Sequence, residues 1–258
     1  MSDFFDTLAK GAKDTIEHGY YKNLTTSKHP QISLKNAIQT CKPNPIITEI
    51  KSASPSAGII RTEINATQLA QAMQQGGAVG ISVLTEPKHF HGSLNTLTKT
   101  RQAVDLPLLM KDIILSPIQI EAAVNLGANA ILLIQTLFER GYGKLALPEL
   151  IEYAHDRDLE VLLETHNESE FRIAEQTRAD IIGINNRDLA TLKINLGTTQ
   201  KILEKHKKSQ KIVISESGIQ TAADLQFLRS CGADAFLIGS SIMLTNDVET
   251  KVKEFVRA

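Results

Sequence analysis

Two lysines and three glutamates lie at the ends of short apolar runs, where they could bind anions or transfer protons. Lys51 and Lys111 each end such a run, and Glu49, Glu164 and Glu216 occupy similar positions in three runs. Desolvation or a nearby cation lowers the pKa of a lysine and helps it to donate a proton near neutrality. A buried carboxylate is costly unless it is paired or used in chemistry. These residues predict an acid–base site for an anionic substrate; solvated lysines and a structural ion pair are the alternatives.

The first of these runs is followed by further polar groups. Glu49 and Lys51 are two residues apart in a predicted strand, so their side chains face the same way and favour an ion pair. Ser54 and Ser56 flank a proline that stiffens the next loop. We expect both serines to supply hydroxyl groups for substrate contacts.

Three later runs end in residues suited to binding polar parts of a substrate. Asn185 can hold a hydroxyl, and Arg187 can bind a carboxylate through two parallel hydrogen bonds. Gly218, Gly239 and Ser240 follow the last two runs, where small residues let backbone N–H groups approach a phosphate next to a helix N-terminus. We therefore predict phosphate binding at these three residues, with tight turns as the alternative.

Alternating elements must position these residues. The sequence predicts eight strands, at Ile46–Lys51, Val79–Leu84, Leu108–Lys111, Ala130–Ile134, Glu160–Glu164, Ile181–Ile184, Ile212–Ser215 and Ala235–Ile238. It predicts helices between them, including Ala66–Gln75, Pro117–Asn125, Leu147–Arg157, Glu168–Gln176, Leu196–His206 and Ala222–Ser230. Such alternation is typical of parallel βαβ units, and eight units close a (β/α)8 TIM barrel, whereas five or six leave an open sheet. The C-terminal strand ends then share one active site.

Residues 1–44 do not join the repeat. Helices are predicted at Asp3–Lys10 and at Ser33–Thr40, with Ser33 as the N-cap of the second. We expect a helical N-terminal extension that plugs the bottom of the barrel or lies over its top. Residues 45–258 form the barrel, and the whole chain is one domain.

Composition excludes several function classes. The 28 Lys and Arg residues nearly balance the 29 Asp and Glu residues, so no basic field favours nucleic acid or an anionic membrane. There is no secretory signal pattern and no apolar stretch of roughly 20 residues for a membrane helix. The two cysteines form no CxxC motif, which favours reduced thiols and a cytoplasmic protein. No long apolar surface stripe requires a partner, so we expect a monomer.

Other candidate motifs are weaker. His89 and His91 lie two residues apart without a third ligand at suitable spacing, so we expect no metal site. The chain lacks GxGxxG, P-loop and GxSxG motifs, which argues against a dinucleotide, a nucleoside triphosphate and a serine nucleophile. We therefore expect an enzyme without a cofactor that acts on a small phosphorylated molecule.

Seven motifs, in this order, resemble the indole-3-glycerol phosphate synthase family of the tryptophan pathway. The motifs EIKSASPSAG (Glu49–Gly58) and IGINNRDL (Ile182–Leu189) are the most specific. The others are SVLTE, PLLMKDII, LLETHNESE, ISESGI and LIGSSIM. The loop TEPKHFHGS departs from the Phe–Gly-type segment that the family suggests, although Phe90 can still supply an apolar wall for an aromatic ring.

The resemblance implies ring closure, decarboxylation and dehydration of 1-(2-carboxyphenylamino)-1-deoxyribulose 5-phosphate. Lys111 matches the general acid of ring closure, and Glu164 matches a second acid–base group that acts in dehydration. Lys51, paired with Glu49, matches a lysine that binds the substrate carboxylate. The remaining matches orient or contact the substrate: Asn185, Glu216, Ser54, Ser217 and Arg187.

Two other interpretations are open. The chain could be another phosphate-binding barrel, such as phosphoribosylanthranilate isomerase or the tryptophan synthase α subunit, but neither cysteine is placed for the first reaction. It could also be a catalytically inactive barrel that binds a phosphorylated ligand or a protein. Lys51, Lys111 and Glu164 together argue against that alternative, because binding alone does not need so many titratable groups.

Overall fold

The computed structural model describes residues 3–25, 29–54, 58–60, 64–189, 191–206 and 210–258. Its strands are β1 (Ile46–Ile50), β2 (Ala53–Ser54), β3 (Gly58–Ile59), β4 (Gly80–Leu84), β5 (Leu108–Lys111), β6 (Ala130–Ile134), β7 (Glu160–Thr165), β8 (Ile181–Asn185), β9 (Ile212–Glu216) and β10 (Ala235–Ile238). Its helices are α1 (Phe4–Glu17), α2 (Leu34–Thr40), α3 (Ala66–Gln75), α4 (Leu94–Ala103), α5 (Pro117–Asn125), α6 (Gln135–Glu139), α7 (Leu147–His155), α8 (Glu168–Gln176), α9 (Gly197–Lys205), α10 (Ala222–Ser230), α11 (Ser240–Met243) and α12 (Val248–Arg257).

Eight of the strands close into a parallel barrel. The order around the ring is β1, β10, β9, β8, β7, β6, β5 and β4, and β1 pairs with both β4 and β10. The two-residue strands β2 and β3 form a small antiparallel pair outside the ring. The predicted (β/α)8 barrel is therefore confirmed, and each predicted strand end lies within one residue of its observed position.

The barrel strands divide their side chains between two cores, as the period of two in a strand requires. In β6, Ala130, Leu132 and Ile134 point into the barrel, while Ile131 and Leu133 pack against the surrounding helices. The inward series of other strands continues past their apolar residues into polar ones. These polar ends are Lys51, Lys111, Glu164, Asn185 and Glu216.

The N-terminal extension covers both ends of the barrel. Helix α1 lies over the C-terminal strand ends, where Leu8 lines the cavity described below. Helix α2 lies at the opposite end, because the N–H of Lys35 donates to Glu160 at the start of β7 over 3.0 Å. Ser33 caps α2 by accepting from the N–H of Asn36 over 2.9 Å, as predicted. The extension was expected at the top or at the bottom of the barrel, and its two helices lie one at each end.

Some helix predictions need correction. The first helix extends to Glu17 rather than Lys10, because its apolar face continues along the barrel. The helices predicted to end at Arg157 and His206 end at His155 and Lys205. None of the helices in the described ranges is long and apolar enough to span a membrane.

Candidate active site

A cavity of about 340 Å³ opens at the C-terminal ends of the barrel strands. Its volume lies within the range of small-molecule sites, roughly 300–1,000 Å³. Apolar residues from the extension, the strands and the loops, among them Leu8, Leu132 and Leu237, form much of its wall. It brings together Glu49, Lys51, Phe90, Lys111, Glu164, Asn185, Arg187, Glu216, Ser217, Gly218, Gly239 and Ser240. The predicted convergence of the lysines and glutamates on one pocket is confirmed.

Lys111 lies at the centre of the charged residues. Its Nζ is 3.0 Å from Glu164 Oε2 and 3.2 Å from Glu216 Oε2. Burial alone would lower the pKa of Lys111, but the negative charges of Glu164, Glu216 and Glu49 outweigh burial and raise it. The expectation of a lowered lysine pKa is therefore wrong for Lys111, because carboxylates rather than cations surround it.

Glu164, at the end of β7, has a donor or cation on each oxygen. Its Oε1 accepts from Asn185 Nδ2 over 3.1 Å and lies 3.1 Å from His166 Nε2, and its Oε2 contacts Lys111. Burial would raise the pKa of this carboxyl, but Lys111 and His166 hold it well below its usual range. Glu164 is therefore a carboxylate that can accept a proton rather than supply one.

Glu216, at the end of β9, has far fewer partners. Burial raises its pKa to about 7, although Lys111 works in the opposite direction. Its Oε1 is buried and has no hydrogen-bond donor among the described residues. That oxygen lies over Gly183, where an added Cβ would be only 2.1 Å away. Glu216 is therefore poised to bind or lose a proton near neutrality.

Glu49 and Lys51 form the predicted ion pair. Their Oε1 and Nζ atoms are 3.0 Å apart, and Ser82 Oγ donates to the other carboxylate oxygen over 3.4 Å. Gly239 leaves room for the pair, because an added Cβ there would lie 2.7 Å from the Glu49 oxygen and 2.9 Å from Lys51 Nζ. The cation of Lys51 is thus held beside the loop predicted to bind phosphate.

Two asparagines after β8 have different tasks. Asn185 Oδ1 accepts from the N–H of Arg187 over 3.0 Å, which turns its amide nitrogen toward Glu164. Asn186 donates to Ser215 and to the carbonyl oxygens of Glu216 and Ser217, over 2.9–3.1 Å. Asn186 therefore ties the β8 loop to the end of β9, a structural task that its sequence position alone did not indicate.

The loops after β9 and β10 form the uncharged side of the cavity. Ser217 and Gly218 both have positive φ values, 68° and 90°, so the backbone turns sharply beside the cavity. Gly239 is the N-cap of α11, and Ser240 is its first residue. Ser241 Oγ donates to the carbonyl oxygen of Ile219 over 3.0 Å and joins the two loops. The three predicted phosphate residues thus lie on two joined loops that line the same cavity.

The loop after β4 is organised by Glu86, which is almost fully buried. Its carboxylate accepts from the N–H groups of Lys88, His89 and Phe90 over 2.7–3.0 Å, and this places the Phe90 ring at the cavity. His89 packs edge-on against Phe4 of α1, with ring centroids 6.0 Å apart. Among the described residues, no three His, Cys, Asp or Glu side chains are grouped as metal ligands.

The roles predicted for the site residues all stay predictions, and two predicted substrate contacts do not appear among the residues that line the cavity. Ser54 belongs to the short strand β2, and Ser56 lies outside the described residues. Sequence reasoning also missed His166, which follows β7 in the motif LLETHNESE and reaches Glu164. Its position two residues after a candidate catalytic glutamate was the available signal.

The chain matches the family model described as indole-3-glycerol phosphate synthase over residues 8–255. The chain belongs to this family. A relative of the same name from Methanocaldococcus jannaschii is 46% identical over 239 residues, which are 91% of this chain and 86% of the relative. Another from Petrotoga mobilis is 41% identical over 231 residues, covering 88% of this chain and 89% of the relative. Membership in this family agrees with the motifs that carried the resemblance.

Solved structures support the fold. A thiamine phosphate pyrophosphorylase from Pyrococcus furiosus has a TM-score of 0.61 at 16% identity and covers 87% of this chain and 96% of that chain. An N-acetylmannosamine-6-phosphate 2-epimerase from Clostridium perfringens also has a TM-score of 0.61 at 16% identity, covering 84% of this chain and 93% of that chain. At this identity, the likeness concerns the barrel alone.

Proposed function

We propose that this protein converts 1-(2-carboxyphenylamino)-1-deoxyribulose 5-phosphate to indole-3-glycerol phosphate. The observation that carries the proposal is the buried Lys111, bridged between Glu164 and Glu216 in a cavity whose opposite corner is lined by glycine and serine backbone. The family of the chain and the names of its relatives support the same reaction.

The cavity offers a separate place for each part of this substrate. Backbone N–H groups at Gly218, Gly239 and Ser240 bind the phosphate. Lys51 binds the carboxylate, and the apolar wall that includes Phe90 packs against the aromatic ring. This arrangement holds the aryl carbon close to the C2′ carbonyl, which makes ring closure an intramolecular step between aligned groups.

Ring closure forms a bond between the aryl carbon and C2′ while the carbonyl oxygen gains negative charge. The Lys111 ammonium donates a proton to that oxygen as the charge develops. Its raised pKa does not prevent the transfer, because an alkoxide is a stronger base than the lysine amine. The neighbouring carboxylates keep Lys111 protonated before each turnover.

The later steps remove carbon dioxide and water. Cleavage of the carbon–carboxylate bond returns its electron pair to the ring and restores aromaticity. Lys111, once reprotonated, donates a proton to the C2′ hydroxyl, which leaves as water. The C1′ carbon then loses a proton to the Glu164 carboxylate, which completes the indole. Glu216, with a pKa of about 7, is suited to exchange protons with Lys111 between these steps.

Indole fluorescence tests this function directly. The chain contains no tryptophan, so any indole emission arises from the product. We expect the purified protein to generate this signal from the substrate. A folded protein that binds inorganic phosphate but yields no indole would instead support the inactive phosphate-binding barrel.

The proposal extends to three further properties of the protein: its cofactor requirement, its oligomeric state and its location. The reaction consists of one carbon–carbon bond formation, proton transfers and the loss of carbon dioxide and water, so we propose that it proceeds without a metal or organic cofactor. Unchanged activity after treatment with a chelator is the expected result. A monomeric state and a cytoplasmic location also stay predictions. Light scattering tests the monomeric state, because it gives the molar mass of the protein in solution.

A further inference from the structure

The imidazole of His166 lies between two buried carboxylates beside the reaction site. Its Nε2 is 3.1 Å from Glu164 Oε1, and its Nδ1 is 3.3 Å from Glu170 Oε2. The exposed fractions of the three side chains are 9% for His166, 3% for Glu164 and 6% for Glu170. Water therefore has little access to this row of three groups.

Glu170, the far member of the row, is firmly held in the first turn of α8. Its Oε1 accepts from Thr136 Oγ1 over 3.0 Å and from Asn167 Nδ2 over 2.6 Å. Its Oε2 accepts from the backbone N–H of His166 over 2.8 Å. The pKa of Glu170 is lowered despite burial, which alone would raise it, because His166 and these donors favour the carboxylate. Glu170 is therefore a fixed anionic anchor for the imidazole.

The surroundings of His166 favour its charged form. Burial alone would lower its pKa, but Glu164 and Glu170 together raise it to about 9. Other charged groups lie one layer away: Lys111 beyond Glu164, and Arg140 against the ring of Phe5. The Phe5 ring itself packs edge-on to His166, with centroids 5.1 Å apart. No like charge touches the imidazole among the described residues, so an imidazolium is stable there.

The two oxygens of Glu164 consequently have different environments. Oε1 is occupied by His166 and Asn185, both of which are fixed to other parts of the protein. Among the residues that the structure describes, Oε2 contacts Lys111 alone, and Lys111 itself must turn toward the substrate to donate a proton. Oε2 is thus the oxygen that becomes available during the reaction.

We propose that His166, anchored by Glu170, is a positioning residue that holds Glu164 Oε1 and leaves Oε2 to accept the substrate proton. This inference rests on the proposed function, because it specifies how the proton acceptor of the dehydration step is oriented. The alternative role for His166 and Glu170 is purely structural, namely to fix the N-terminus of α8.

The first test separates turnover from substrate binding. In His166→Gln, an amide can still reach Glu164, but the positive charge is lost. We expect kcat to fall about tenfold, because the buried ion pair that positions Glu164 Oε1 is lost, and KM to change less than about twofold. Wild-type kcat should fall as pH rises through about 9, and this alkaline limb should be absent from His166→Gln. His206→Gln is the matched control, since His206 pairs with Glu175 over 3.0 Å away from the cavity.

The second test needs no turnover. NMR titration of the His166 ring in the substrate-free wild-type protein should give a pKa near 9. Both Glu164→Gln and Glu170→Gln should lower that pKa, whereas a purely structural role predicts an effect of Glu170→Gln alone. This titration also decides the pairing if His166→Gln fails to fold.

The outcomes distinguish this inference from the proposed function. A wild-type protein without indole product overturns the function, while the NMR titration still decides whether His166 is paired with Glu164. An active wild-type protein overturns the inference if His166→Gln keeps the wild-type kcat and alkaline limb. An unchanged His166 pKa in Glu164→Gln also overturns it.

Discussion

The ends of β7 and β9 each present a buried glutamate to the same lysine, yet the two glutamates differ in ionisation. The Glu164 carboxylate contacts Lys111, Asn185 and His166, and its pKa lies well below the usual range. Within the described ranges, the Glu216 carboxyl contacts Lys111 alone, because its second oxygen has no donor there, and its pKa rises to about 7. Equal burial and a shared cation thus produce two different groups.

The difference shows that the neighbours of each carboxyl, more than its burial, decide its protonation state. The cation of Lys111 and the donors around it favour the carboxylate of Glu164, whereas the negative charges of Glu164 and Glu49 disfavour that of Glu216. Desolvation penalises both carboxylates, and each donor offsets part of that penalty. Gly183 contributes to the contrast because, without a side chain, it leaves room for Glu216 Oε1. Two carboxyl groups with separated pKa values are typical of sites that need both a base and a proton reservoir.

Removing the shared lysine should have the largest effect. We expect Lys111→Ala to lower kcat about 10³-fold and to raise KM less than about tenfold, because the proton is needed chiefly in the transition state. Steady-state kinetics measures both constants. Lys205→Ala, at an exposed lysine paired with Glu168, is the control. Equal losses in kcat and in substrate binding would assign Lys111 to binding only.

Neutral substitutions of the two glutamates should have unequal effects on kcat. We expect Glu164→Gln to lower kcat about 10²-fold at pH 6, since it removes the proton acceptor. Glu216→Gln should lower kcat less than about tenfold at the same pH, because the amide resembles the protonated carboxyl. The measurement is a comparison of the two kcat values at pH 6. A larger loss in Glu216→Gln than in Glu164→Gln would contradict the assignment of Glu164 as proton acceptor and Glu216 as proton reservoir.

The pH dependence of the unfolding free energy should reveal the raised pKa of Glu216. Its pKa is about 7 in the folded protein against 4.5 for an ordinary glutamate, so the folded state binds more protons within this interval. Wild-type stability therefore falls as pH rises from about 4.5 through 7. Between pH 5 and pH 8, Glu216→Gln should gain about 2 kcal/mol of unfolding free energy relative to wild type. Urea unfolding at both pH values tests this, and a constant difference would contradict it.

Filling the space over Gly183 should have the smallest effect. Gly183→Ala places a methyl group against Glu216 Oε1, and we expect a loss of about 1–2 kcal/mol in unfolding free energy. In a Glu216→Ala background the same substitution should cost less than half as much. Chemical unfolding of the four proteins in this cycle provides the measurement. Additive costs would mean that the glycine and the glutamate do not interact.

Much of the barrel and of the site could be predicted from local sequence patterns, namely the alternation of strands with helices and the alternation of side chains along each strand. The inward series of each strand ends in a polar residue, so Lys111, Glu164 and Glu216 could be placed at one mouth before any tertiary contact was known. The Glu49–Lys51 ion pair followed from the same period of two. Gly77, Gly127 and Gly232 follow helices and have positive φ values, a position at which glycine is the usual residue.

What could not be predicted depends on contacts between elements far apart in the chain. The pKa of Lys111 was expected to fall, but the sign depends on which charges meet across the barrel. Gly183 has meaning only once Glu216 is known to lie over it. Leu8 belongs to a separate helix, and nothing in its local pattern shows that α1 reaches the cavity.

The pairing of β1 with β10 joins the first and the last barrel strands, through contacts such as Ile47 with Leu237. We expect such a pairing to form late, because a long chain must be ordered before the two segments can meet. Lys51 and Gly239 lie on opposite sides of this seam and touch only when the ring is complete. During synthesis, a growing chain therefore has no working site until its last strand has emerged from the ribosome, and the onset of activity is a direct measure of ring closure.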